Sequence, residues 1–441
     1  MIARRVAVNT LAPFAANLVG RGLALVTAVV MARTLGPTGT GAYAFAVNLW
    51  LYASIVSDFG LGTWLTREIA RAPEQAAPLV RLSLGLRLAL SGAGAIALVL
   101  VAVAYRSLGI GDVDLAIVAT AGLLGAGLLP GAVSAAGTAL FNAHERMVFP
   151  AAVQLLTGCL TASLGIVALL AGGGIIALGW VSLIVTCLGA VVFAVASARA
   201  FVPLGATVRP TAQLALAREA LPLMLNALLN NVFFRVDIQV LQSRGSAVVG
   251  NYANAYKVID AAGTVPSSFV LALFPQLARR AGSEGGLVRV YALAGKMLLT
   301  AAVCIAVPVT LLAEQITRLA WGPEFLPHSA VALRILIWFL PLSFFNGLTQ
   351  YVLIALGLQA KITRAFAVAA AFNVAANLLL IPRYSYVAAA WVTIATEVVL
   401  LVPFVMALRD RVDLGRLARS LVSLDGEEVA LLRSALKRGG R

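Results

Sequence analysis

Apolar residues run in stretches of about 20 along most of this chain, separated by short segments where Gly, Pro and Arg collect. A helix needs about 20 residues to cross a hydrocarbon layer, so each stretch predicts one transmembrane helix. The first six cover 9–32, 42–64, 80–104, 114–140, 148–171 and 175–198. The second six cover 219–242, 248–275, 290–313, 329–356, 361–381 and 386–408. Leu, Ala, Val and Gly dominate, and there is no ten-residue alternation of the kind a transmembrane barrel requires.

The pattern therefore predicts an all-α integral membrane protein with 12 transmembrane helices in two six-helix bundles. The first bundle spans 1–200, a linker rich in Pro, Gly and Arg spans 201–218, the second bundle spans 219–408, and a basic tail spans 409–441. Within the tail, Leu414, Leu417, Leu421 and Leu424 are spaced three, four and three apart, which places them on one helical face. Such a helix suits a lipid surface or a partner protein.

Composition agrees: 61% of the 441 residues are hydrophobic and only 12% are charged, far from soluble usage. A net charge of +15 would suggest nucleic acid in a soluble protein. Here most of the Lys and Arg fall on one side when the N-terminus is placed in the cytoplasm, so the basic excess is topological and no nucleic acid is expected. An even number of spans then puts both termini inside, in the plasma membrane. The apolar stretch after Arg4 and Arg5 is too long for a signal-peptide core and is expected to stay as an anchor. Cys159, Cys187 and Cys304 lie far apart in apolar runs, which suits packing rather than disulfides or metal.

The halves can be superposed at an offset of 209 residues. Pro13 then falls on Pro222, Asn17 on Asn226, Gly36 on Gly245, Arg71 on Arg280, and GAYAFA from Gly41 on GNYANA from Gly250. Six spans per half mean that both copies enter from the same side, giving a parallel pseudo-repeat with the ligand site between them.

An ionisable side chain inside a span costs several kcal/mol and is a functional candidate. Arg21 lies mid-helix with Asn17 one turn earlier; Arg235 and Asp237 lie below Asn226, Asn230 and Asn231; Lys257 and Asp260 are three apart and can touch. For that last pair, mutual neutralisation and ligand contact are both open. Arg21 and Arg235 have no opposite charge three or four residues away, so each needs water, a distant partner or an anionic substrate. Asp58, beside Phe59-Gly60, suits bonding to local backbone. Arg87 and Arg364 lie nearer the inner surface and are expected to snorkel, and Glu397 sits near the centre of the last span. Pro130, Pro222, Pro266, Pro308 and Pro341 fall inside spans and mark places to bend.

Catalytic signatures are missing: His144 and His328 lie in loops on opposite sides, and there is neither a phosphate-cradling GxxxxGK[ST] nor HExxH. No enzyme activity, cofactor or metal is expected.

Across ARTLGPTGTGAYAFA, SDFGLGTWLTREIAR, VVGNYANAYKVID, LFPQLAR, WGPEFLPHSAVALRIL and FNVAANLLLIPRYSYVAAAWVTIATE, the chain resembles the polysaccharide biosynthesis or oligosaccharide flippase family of the multidrug/oligosaccharidyl-lipid/polysaccharide exporter superfamily. The resemblance covers nearly all of residues 5–408, with Ser385 and Ala388 standing where that family commonly has Gly. It implies a V-shaped pair of bundles, alternating access, and movement of a polyprenyl-diphosphate-linked glycan from the cytoplasmic to the outer leaflet. Membrane lipids, and glycosyltransferases and a polymerase of the same pathway, would be its partners. Under that reading Arg21, Arg235 and Lys257 bind the diphosphate, and Asn17, Asn226 and Asn230 meet sugar hydroxyls. A cation-coupled multidrug exporter would instead use Asp58, Asp237, Asp260 or Glu397 for the coupling ion. A non-transporting scaffold that recruits glycan enzymes through its tail is a third reading.

Overall fold

The computed structural model describes residues 2–422 apart from 283 and 410. Among the described residues every regular element is a helix. The first bundle contains α1 (Ile2–Asp58), α2 (Leu61–Arg71), α3 (Ala76–Ser107), α4 (Leu115–Ala126), α5 (Leu128–Ala143), α6 (Val148–Leu170) and α7 (Gly174–Ala200). The second contains α8 (Pro210–Leu241), α9 (Ser246–Ala262), α10 (Thr264–Arg280), α11 (Glu284–Leu311), α12 (Ala313–Ala320), α13 (His328–Leu336), α14 (Phe339–Ala355), α15 (Gln359–Leu408) and α16 (Leu414–Val422).

Twelve crossings account for these pieces. Helix α1 holds the first two, reversing at Gly36, and α15 holds the last two, reversing at Ser385. Both reversals take one residue, where the pattern had predicted a longer LGPTGTG turn. Gly36 turns the chain at φ 64° and Pro37 is pre-set to start the next helix, so no further residues are needed. The pairs α4–α5, α9–α10 and α13–α14 are single crossings interrupted four residues before Pro130, Pro266 and Pro341. The proline ring clashes with the carbonyl four residues back, and the breaks follow Ala126, Ala262 and Leu336–Ile337. Pro222 lies within an unbroken α8.

Among the described residues, eight helical segments are long and apolar enough to cross a membrane, two of them being the doubled α1–α2 and α15. Helix α8 and the α9–α10 pair lie outside that set and carry Arg235, Asp237, Lys257 and Asp260. The lateral surface exposes large apolar side chains such as Leu100, Val167, Leu379 and Trp391, which only lipid would cover.

Ser385 adopts φ 54° and ψ −141°, a conformation that glycine takes without strain. A Ser385→Gly variant is expected to gain about 1 kcal/mol once glycine's extra chain entropy is deducted. A melting temperature in detergent that stays level or falls would show that the position is unstrained.

The linker is shorter than expected, because α8 already begins at Pro210. Its Thr207 N–H donates to the Arg81 carbonyl at 3.0 Å, and the Gln213 amide returns to the Thr207 carbonyl, which ties the linker to α3. In the tail, Asp413 caps α16 by accepting from the Arg416 N–H at 2.9 Å, a bond that holds its carboxyl below the usual range. Leu417 is buried and Leu414 and Leu421 pack against the second bundle, so the apolar face of α16 is spent on its own protein. Leu424 lies outside the described residues.

Candidate functional site

The two bundles touch at both ends. At the Gly36 end, the second half of α1 crosses α9 with backbone against backbone: a Cβ on Gly41 would lie 1.7 Å from the Ser246 carbonyl oxygen, and one on Gly250 would lie 2.0 Å from the Pro37 oxygen. The repeat-related glycines therefore meet each other across the pseudo-repeat. Asp112 of the first bundle adds a cap in trans, accepting from the Ser246 N–H at 2.6 Å and its hydroxyl at 2.7 Å. Arg33 also donates to the Leu319 and Ala320 carbonyls at the end of α12. At the opposite end, Leu61, Trp64 and Leu65 share a buried cluster with Leu216 and Ala220 of α8, and Arg67 pairs with Glu219 at 2.6 Å.

A cavity of about 830 Å³ is lined by α1, α5, α6 and α7 of the first bundle and by one residue of the second. Asn17, Arg21 and Thr27 of α1 line it, with Lys257 of α9 reaching in from the second bundle. Arg235 sits close behind, its Nη2 2.7 Å from Asp260 Oδ2 and its guanidinium 4.8 Å from the Tyr256 ring centre. Arg21 Nη1 approaches the Asp260 carbonyl oxygen at 3.4 Å. Of the three cations singled out in the sequence, Arg235 pairs with the Asp260 carboxylate, Arg21 reaches that residue's backbone carbonyl, and Lys257 lines the cavity one helical turn before it.

One expectation needs correction, that for Arg87, and the other candidates take the following places. Asp260 pairs with Arg235 and not with Lys257, because Asp260 points across to α8 rather than along its own helix. Arg87 does not snorkel: it is 1% exposed, with Nη2 2.9 Å from Asp58 Oδ1, since α3 turns that face inward on the bundle. Asp58 also accepts from the Gly60 N–H at 3.2 Å, as its place beside the turn suggested. Asn226 and Asn230 are not among the residues that line the cavity; Asn226 accepts from Thr363 of α15 at 3.2 Å, because its face of α8 lies toward that helix.

Asp237 and Glu397 lie inside the second bundle, 3% and 1% exposed. Tyr252 donates to Asp237 Oδ2 at 2.5 Å and contacts Thr393 at 3.2 Å. Asn346 donates to Glu397 at 2.6 Å. Asn373 and Asn377, one turn apart on α15, form a separate buried chain, Asn377 donating to Asn373 and Asn373 to Thr396. The i, i+4 asparagine pair in an apolar run was its visible signal.

Sequence reasoning also missed the cavity's far wall. Gln154, Thr157 and Thr161 occupy one face of α6, and Ser134, Thr138 and Thr186 face them from α5 and α7. Their spacing of three and four on α6 was the available clue.

These features define a multi-pass helical membrane protein of two pseudo-equivalent bundles, with a cavity in the first that Lys257 of the second reaches. A profile of the family described as polysaccharide biosynthesis protein matches residues 6–280, and the chain belongs to that family. None of the curated proteins matches it in sequence. Among solved structures, lipid II flippase MurJ in an inward closed conformation is similar at TM-score 0.75 and 13% identity, over 93% of this chain and 90% of that one. An inward-facing multidrug resistance MATE family transporter of the MOP superfamily is similar at TM-score 0.68 and 17% identity, over 90% and 94%. A MOP superfamily transporter from Pyrococcus furiosus gives 0.59 and 15%, over 95% and 96%. At these identities the likeness establishes the fold.

Proposed function

We propose that this protein moves a polyprenyl-diphosphate-linked glycan from the cytoplasmic to the outer leaflet of the plasma membrane by alternating access, with both termini in the cytoplasm. The observation that carries this reading is that Arg21 and Lys257, from different bundles, line one cavity, with Arg235 beside them on Asp260. A diphosphate offers several anionic oxygens to such a set, and charge-assisted hydrogen bonds gain strength away from water. The polyprenyl chain stays in lipid while the head group crosses between the bundles.

The drug-exporter reading calls for unpaired carboxylates facing the cavity. Asp260 is engaged by Arg235 and Asp58 by Arg87, while Asp237 and Glu397 are hydrogen-bonded within the second bundle. That arrangement supports an anionic cargo and leaves Asp237 and Glu397 as the candidates for a coupling cation. The scaffold reading is less supported, because the tail helix packs on its own bundle.

The test is leaflet-resolved. Proteoliposomes loaded with a polyprenyl-diphosphate glycan are treated from outside with a membrane-impermeant glycan-modifying enzyme. Wild-type protein should expose the inner-leaflet pool, and Arg21→Ala should slow that exposure by about tenfold or more, the value of a lost charged hydrogen bond. Equal rates with and without protein would reject the function; equal rates for wild type and Arg21→Ala would reject the site.

A further inference from the structure

We infer that the seam between the bundles, from the Gly41–Gly250 crossing to Lys257, is the closed outward half of the cargo route, and that Asn48, Tyr52, Gln239, Asn254 and Tyr256 form a second binding site along it that hydrogen-bonds the head group as it leaves. This rests on the reading of the protein as an alternating-access carrier of a head group bearing hydroxyls and phosphates.

Two helical stripes mark the route. On α9, Gly250, Asn254 and Lys257 are spaced four and three apart, so one face runs from the backbone-to-backbone crossing to the residue that reaches the recess of the first bundle. On α1, Gly41, Asn48 and Tyr52 are spaced seven and four apart and lead away from the other side of the same crossing. The Tyr52 hydroxyl lies within electrostatic reach of Asp237 and Arg235, so this stripe too ends beside the second bundle's charges. Gln239 of α8 borders the seam, where Tyr105 of the first bundle donates to its backbone carbonyl at 3.4 Å. Tyr256 stands under the Arg235 guanidinium.

These faces are polar where a permanent interface would be apolar. Asn48 is 7% exposed and Asn254 is fully buried. Among the described residues, Asn48 Oδ1, both side-chain amide atoms of Gln239 and of Asn254, and the hydroxyls of Tyr52 and Tyr256 are buried with no hydrogen-bond partner. Buried polar atoms in folded proteins are nearly always paired, and each one left unpaired costs its desolvation. Five such side chains share one seam, and alternating access requires that seam to part. Once it parts, their amide and phenol groups offer donors and acceptors together, which suits sugar hydroxyls and phosphate oxygens alike. The polar atoms that destabilise the closed arrangement are thus the ones that the open route needs.

Thiol labelling of the full-length protein in right-side-out membrane vesicles tests this, with Cys159, Cys187 and Cys304 replaced. Asn48→Cys and Asn254→Cys should react slowly with a membrane-impermeant maleimide, and about tenfold faster or more when Gly41→Val or Gly250→Val holds the crossing apart, as a minor open state becomes the major one. Ser243→Cys, at an exposed position, should react in every background and Leu298→Cys, in the second bundle's core, in none, which separates opening from unfolding. Independently, Asn48→Leu/Asn254→Leu should melt no lower than wild type and bind a bare polyprenyl diphosphate with unchanged affinity. It should slow glycolipid exposure by about tenfold, the value of one or two net hydrogen bonds. Positions 48 and 254 that stay unlabelled in both glycine variants, a leucine variant that melts lower, or one that carries cargo at the wild-type rate would overturn the inference. Labelling as expected in a protein that moves no polyprenyl-diphosphate glycan would instead overturn the proposed function.

Discussion

Gly41→Val is expected to abolish the proposed transport and to hold the molecule open at its Gly36 end. Even a single Cβ at position 41 would fall 1.7 Å from the Ser246 oxygen and 2.6 Å from the Gly250 nitrogen, well inside van der Waals contact. Those atoms are backbone, so no rotamer change can relieve the overlap, and the two helices must move apart. Separation would also pull Ser246 from Asp112, removing the cap that spans the bundles. The measurement is a pair of spin labels at exposed positions 107 and 243, on the two bundles, after replacing Cys159, Cys187 and Cys304. The distance should lengthen in Gly41→Val and in Gly250→Val alike, since the two glycines close the same crossing. An unchanged distance distribution with intact transport would show that the crossing is not a gate.

Asp58→Asn is expected to destabilise the first bundle by about 3 kcal/mol, because it removes the charge opposite a buried guanidinium. Arg87 is 1% exposed, and among the described residues its Nε and Nη1 have no hydrogen-bond partner, so Asp58 carries its compensation. The figure is set at the low end for a broken buried pair because the Asp58 side chain itself is half exposed. An Asp58→Asn/Arg87→Leu double variant should recover most of the loss, since the charge that needed a partner is gone. Thermal melting in detergent checks both, and a single Asp58→Asn variant that melts with the wild type would show that the pair carries no stability.

How much of the site was legible follows from the range of the forces involved. Helix positions came from run length, and the breaks before Pro130, Pro266 and Pro341 from the proline four residues downstream, while Pro222 and Pro308 sit in unbroken helices, because run length is set locally and packing decides which prolines break a helix. The repeat was readable at Gly41 and Gly250, but that these two residues touch was not. A repeat states equivalence, and contact depends on the axis that relates the copies. Arg21, Arg235 and Lys257 were visible as charges in apolar runs. The pairing of Arg235 with Asp260 was not, because residues 25 apart in sequence become neighbours only when α8 lies beside α9.

The opening pattern of apolar runs, by itself, determined a membrane protein of two pseudo-equivalent helical halves, since burial in lipid requires that pattern whatever the packing. It also marked the ionisable residues that lipid could not tolerate. Only the tertiary structure decided which of them face the cavity, which neutralise one another, and which threonines of α5, α6 and α7 line the recess. A helical residue's neighbours across a bundle are fixed by the rotation and crossing of whole helices, and no local spacing encodes those angles.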